Sequence, residues 1–146
     1  MSMERTALPR RERSPVRVLA AIPDGEEREA LLEILKHSAW TVDAARSIEE
    51  ARARLRREGY GVVVCPYRSP GAGKWSDLLQ EARSMHAPPK VVVTDELGDA
   101  PVWAEVISLG GYDLLQKPFE PGEVFQVLSL AWLAYQREST ALKRIA

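Results

Sequence analysis

Short apolar runs and amphipathic stretches alternate along this chain. Val16–Ile22 (VRVLAAI) is closed by Pro23 and predicts a strand buried on both faces. Gly25–His37 predicts a helix with Ala30, Leu31, Ile34 and Leu35 inward and Glu26, Glu27, Arg28 and Glu29 largely outside. Trp40–Ala45 is a second short strand. Ser47, with Glu50 three residues later, predicts a capping box that opens a helix over Ile48–Arg57, its inner side marked by Ile48, Ala51 and Leu55. Tyr60–Cys65 (YGVVVC) is β-branched and gives the clearest strand signal in the chain. A loop from Pro66 to Lys74 leads to a helix over Trp75–His86, and Lys90–Thr94 (KVVVT) is the fourth strand. Ala100–Leu109 predicts a helix with Val102, Val106 and Leu109 inward, stopped by Gly110-Gly111. Tyr112–Leu115 is the last strand, and Pro121 opens a final helix expected to end near Arg137.

Strand and helix alternate five times with short connections. That order predicts a parallel sheet covered by helices on both faces through right-handed crossovers. Ligands of such sheets sit outside the carboxyl ends of the strands. The positions to inspect are therefore Ile22–Asp24, Cys65–Tyr67, Thr94–Asp95 and Gln116–Lys117. Residues 1–15 are polar, with four arginines and two prolines and no periodicity, and are expected to be a disordered leader. The domain is expected over 16–137, and 138–146 is expected to be a fraying tail that would suit a linker.

Composition changes this picture only by exclusion. A chain of 146 residues suits one domain with a real core, and 45% hydrophobic content suits a globular one. The net charge of -1 gives no pull toward nucleic acid. A single cysteine, Cys65, rules out an internal disulfide, and no Cys/His cluster predicts a metal site or cofactor. No apolar run approaches the ~20 residues of a membrane span, so a cytoplasmic protein away from the membrane is expected. Arg52, Arg54, Arg56 and Arg57 interleave with Glu49, Glu50 and Glu58 and read as a solvated helix face. Gly71-Ala72-Gly73-Lys74 is not a phosphate loop, because Arg68 and Trp75 stand where glycine and Ser or Thr are required.

The run Gly110–Phe119 (GGYDLLQKPF), set after four strand–helix units, resembles the fifth strand of CheY-like receiver domains of bacterial response regulators. The resemblance covers about Val16 to Arg137. It implies a doubly wound α/β fold of five parallel strands in the flavodoxin-like order 2-1-3-4-5. It also implies roles: Lys117 holds the place of the lysine that contacts the phosphoryl group, and Thr94 that of the hydroxyl residue that follows it. An active receiver ends its first strand in two acidic residues that hold Mg²⁺, a hard cation that needs oxygen ligands. Here Ile22 and Pro23 fall on that pair, with Asp24 one step beyond. Counting back from Pro70-Gly71 places Pro66 on the phosphoryl-accepting aspartate, and Gly59–Lys74 contains no Asp or Glu at all. The aromatic switch position is Leu114.

Phosphoryl transfer to a carboxylate needs a nucleophile, a metal and a cation across the pocket. Of these the sequence keeps only the cation. The expectation is a degenerate receiver: a non-catalytic signalling module of a two-component phosphorelay pathway, acting through protein–protein contact without aspartate phosphorylation. Its vestigial pocket would hold Asp24, Thr94 and Lys117, with Lys117 paired to Asp24 or Asp95. A histidine kinase or other signalling protein is the expected partner. Val124, Phe125, Val127, Leu128, Leu130, Ala131, Trp132, Leu133 and Tyr135 surround nearly the whole last helix, which adds the expectation of a homodimer. Receivers commonly pair through the fourth helix, fifth strand and fifth helix, so Trp103, Leu114, Trp132 and Tyr135 are the interface candidates. Two other readings stay open. One is a small-ligand or redox sensor using the vacated pocket around Cys65, Thr94 and Lys117; the other is residual phosphotransfer through Asp24 or Asp95.

Overall fold

The computed structural model describes residues 16–69, 71 and 73–145, so the leader expected over 1–15 lies outside it. The strands are β1 (Arg17–Ala21), β2 (Thr41–Ala45), β3 (Val62–Pro66), β4 (Lys90–Asp95) and β5 (Asp113–Gln116). They form one parallel sheet in the order β2-β1-β3-β4-β5. The helices are α1 (Gly25–Leu35), α2 (Ile48–Arg57), α3 (Trp75–Arg83), α4 (Ala100–Leu109) and α5 (Pro121–Ile145).

Side chains alternate across a strand, so each strand feeds two cores. Val18, Ala20, Ile22, Val62, Val64, Val92 and Leu115 pack with Leu31 and Leu35 of α1 and Val124, Leu128 and Ala131 of α5. Leu19, Ala21, Val63, Cys65, Val91, Val93 and Leu114 face the other way, onto Ile48, Ala51 and Leu55 of α2, Leu78 of α3 and Val106 of α4. Burial on both faces is why the strands read as continuous apolar runs.

Local signals explain most boundaries. Ser47 accepts from the Glu50 amide at 3.0 Å, while the Glu50 carboxylate reaches back to the Arg46 amide at 2.8 Å, one residue earlier than a standard capping box. Gly110 ends α4 at φ 112, a left-handed cap that suits glycine. The arginine face of α2 is paired: Arg52 and Arg56 meet Glu81 of α3, and Arg54 meets Asp43 and Glu58. Hydrogen bonding from Arg56 leads the effects that lower the Glu81 carboxyl below its ordinary range.

Several expectations are corrected. Helix α5 runs to Ile145 rather than ending near Arg137. Lys90 of β4 holds Glu138 at 2.6 Å, and Lys143 and Arg144 complement the helix dipole in its last turn. Ala30 and Leu109 are exposed, because Leu31 and Leu35 set the buried stripe of α1 and Val102 and Val106 that of α4. Pro66 belongs to β3 and not to the following loop. It pairs with Thr94, beyond the last β1–β3 pair at Ala20 and Val64, so its missing N–H deprives no partner.

Candidate functional site

The carboxyl ends of β3, β4 and β5 bring Pro66, Thr94 and Lys117 together around a cavity of about 320 Å³ that Arg68, Asp95, Glu96 and Leu97 also line. Thr94 sits opposite Pro66 in the register and on the same face of the sheet, the face that looks toward α1. Its hydroxyl donates to Glu27 Oε2 at 2.8 Å. Lys117, just past β5, donates from Nζ to Glu27 Oε1 at 2.9 Å. One carboxylate from the first turn of α1 thus joins β4 to the β5–α5 connection. The Glu27 side chain is only 8% exposed, against 23% for Lys117.

Glu27 is the residue that sequence reasoning placed wrongly, on the solvent side of α1. The periodicity of α1 puts it beside the polar face, but the helix start lies over the strand ends, where that face meets the site. The remaining carboxylates are taken up elsewhere. Asp24 caps α1, accepting from the Glu27 amide at 2.9 Å. Asp95 is buried and accepts from the amides of Leu97 and Gly98, with Arg68 Nε 3.5 Å from its other oxygen. The expected pairing of Lys117 with Asp24 or Asp95 is therefore corrected: its ion pair is with Glu27, and only its backbone amide meets the Asp95 carbonyl, at 3.0 Å.

The donor set at the end of β1 does not fit Mg²⁺. Ile22 and Pro23 offer only carbonyls there, and the Arg28 guanidinium donates to both, at 2.8 and 3.2 Å. A cationic side chain at those oxygens opposes a second cation beside it.

Cys65 does not line this cavity. It is one residue before Pro66 and so points to the opposite core, wholly buried. Burial alone pushes its thiol up to about 12 from an ordinary 9.0. A thiol held neutral there lacks the thiolate that redox or nucleophilic chemistry needs. The neutral thiol contributes stability below its unfolded value, and that contribution is lost as pH rises toward the folded one. Tyr60 shifts the same way, from burial first and then from its hydrogen bond to Asp43. Stability is expected to fall between about pH 9 and 12 in urea titrations, and iodoacetamide to modify Cys65 only as fast as the whole domain unfolds. Rapid alkylation of the folded protein, seen by intact mass, would contradict this account.

The interface candidates divide. Trp103 is 48% exposed on α4 and shares a groove with Leu114 and Glu123, where Leu114 is a buried floor and not a surface residue. Trp132 is partly buried over Gly61 at the start of β3, with the Tyr135 ring 5.2 Å away. The two tryptophans do not form one patch. Leu130 and Leu133 are exposed large apolar residues of α5. Tyr67, after β3, donates its hydroxyl to Glu105 of α4 at 2.5 Å, a link from the site to that face which the sequence did not suggest.

No family model matches the chain. The transcriptional regulatory protein FixJ of Azorhizobium caulinodans is 32% identical over 116 residues, which cover 77% of this chain and 52% of that protein. A response regulator receiver protein from Pseudomonas putida is 25% identical, with a TM-score of 0.66, over 78% of this chain and 95% of its own. The NtrC4 receiver domain, 21% identical, superposes with a TM-score of 0.72 over 82% of this chain and 98% of its own. The chain spans from 22% to 52% of the length of the curated relatives it matches. It belongs to the CheY-like receiver domains of two-component response regulators. Among the described residues no helix is long and apolar enough to cross a membrane.

Proposed function

We propose that this receiver domain signals by binding a protein partner and is not phosphorylated on an aspartate. The observation that carries the reading is Pro66, which stands beside Thr94 where an acceptor carboxylate would be needed. Proline offers no nucleophile, and the nearby carboxylates Asp24, Asp95 and Glu27 are engaged in a helix cap, turn contacts and the bonds to Thr94 and Lys117. Further support is the state of the lysine, which already has a carboxylate partner.

The partner surface we assign is the α4–β5–α5 face, where Trp103, Ile107, Leu130 and Leu133 are exposed. Exposed aromatic and aliphatic residues of this kind anchor protein interfaces. A histidine kinase, another two-component protein in the cytoplasm or a second copy of the domain would fit it. The related NtrC4 receiver domain is described as a dimer in its beryllofluoride-activated form. Here the face would be presented without a phosphate signal, and the domain would be non-catalytic.

Incubation with Mg²⁺ and acetyl phosphate, followed by intact mass and sedimentation velocity, tests this directly. No phosphoryl adduct and an unchanged sedimentation coefficient are expected. A stoichiometric, base-labile adduct would overturn the reading and return the chain to the phosphorylated switches.

A further inference from the structure

We propose that Glu27 is a tethered ligand of Thr94 and Lys117, an intrachain carboxylate that holds the two side chains in place and closes their site to outside anions. The inference rests on the phosphorylation-independent reading, because an acyl phosphate here would compete for the same lysine.

The geometry uses both oxygens of the carboxylate. Oε2 accepts from the Thr94 hydroxyl and Oε1 from the Lys117 ammonium, at 2.8 and 2.9 Å. Charge-assisted hydrogen bonds of this kind are what an anionic ligand would make in the same place. The carboxylate is also delivered on a rigid arm. Asp24 caps the Glu27 amide, and Arg28, the next residue, anchors the helix start to the Ile22 and Pro23 carbonyls. A preorganised group on the same chain acts at high effective concentration, so a free anion competes poorly. The approach adds to this. The cavity of about 480 Å³ that opens on Glu27 and Lys117 is also lined by Asp24, Glu26 and Glu96, whose charges repel an incoming anion. Lys117 and Thr94 are thereby held as a bound anion would hold them, with no input signal.

The test compares thermal unfolding of the wild type, Glu27→Ala and Glu27→Ala/Lys117→Met in inorganic phosphate and in chloride of equal ionic strength. Glu27→Ala vacates the site, and its midpoint is expected to rise by about 3–6 °C at phosphate near ten times its dissociation constant. The wild type and the double variant are expected to show no phosphate-specific rise. Equal responses in wild type and Glu27→Ala, or none in Glu27→Ala, would overturn the proposal. Should Glu27→Ala fail to fold, Glu27→Ser, which also withdraws the side chain from Thr94 and Lys117, is read by the same criteria. Intact mass of the wild type after acetyl phosphate separates the two ideas. An adduct there sinks the phosphorylation-independent reading, whereas a flat Glu27→Ala response without an adduct sinks the tethered ligand alone.

Discussion

Lys117→Ala is expected to lower the unfolding free energy by about 2–4 kcal/mol, more than Glu27→Gln does. The asymmetry comes from what each change leaves behind. The Glu27 side chain is 8% exposed beside Lys117, so losing the lysine leaves a largely buried carboxylate with the Thr94 hydroxyl as its remaining side-chain donor. A charge left in that state costs far more than the net value of the pair it belonged to. Glu27→Gln removes the charge, keeps an acceptor for Thr94, and leaves a more exposed lysine that can turn toward water. Adding Glu27→Gln to Lys117→Ala should therefore recover part of the loss. Urea unfolding of the two single variants and the double gives the coupling energy. A Lys117→Ala cost below that of Glu27→Gln would mean that the ion pair does not set the stability of the site.

Gly61→Ala is expected to cost about 2–3 kcal/mol, although alanine has the better intrinsic tendency to stay ordered. Gly61 lies just before β3, donating its amide to the Arg17 carbonyl at 3.1 Å and accepting from the Lys90 amide at 2.9 Å, so its backbone cannot retreat. A Cβ there would run into the six-membered ring of Trp132 and come within 2.8 Å of the Tyr135 ring. Since α5 is seated against the sheet by Val124, Leu128 and Ala131 on the same side, the ring cannot lift without moving the helix. Combining Gly61→Ala with Trp132→Leu should be less destabilising than the sum of the two single changes. Strict additivity in thermal or urea unfolding would rule out the contact as the cause. The same packing explains why Trp132, an interface candidate through the resemblance, is partly buried within its own domain.

The strands and helices were legible because both faces of the sheet are buried. Val62–Val64 and Val91–Val93 had to be apolar in unbroken runs, and α2 declared itself through Ser47, Ile48, Ala51 and Leu55. The expectation that Pro66 takes the acceptor's place came from the resemblance and its Pro70-Gly71 spacing, and the structure puts Pro66 at the end of β3. Helix ends were less legible: α5 continues past Arg137, and Glu138 there meets Lys90, 48 residues away in sequence.

The contents of the site belong to the tertiary structure. Glu27 and Lys117 are 90 residues apart, and Glu27 and Thr94 are 67 apart. No local pattern relates them, and the helical period of α1 marks Glu27 only as polar. Which polar residues of α1 meet water and which meet the strand ends depends on how the capped helix crosses β1, a matter of packing. The same holds for Cys65 and Pro66, adjacent in sequence but turned to opposite cores by strand alternation. The order of apolar and polar residues by itself determined the parallel sheet and its helices, because those follow from short-range periodicity. The fold alone decided which carboxylate answers Lys117, because that choice depends on contacts between residues the chain keeps far apart.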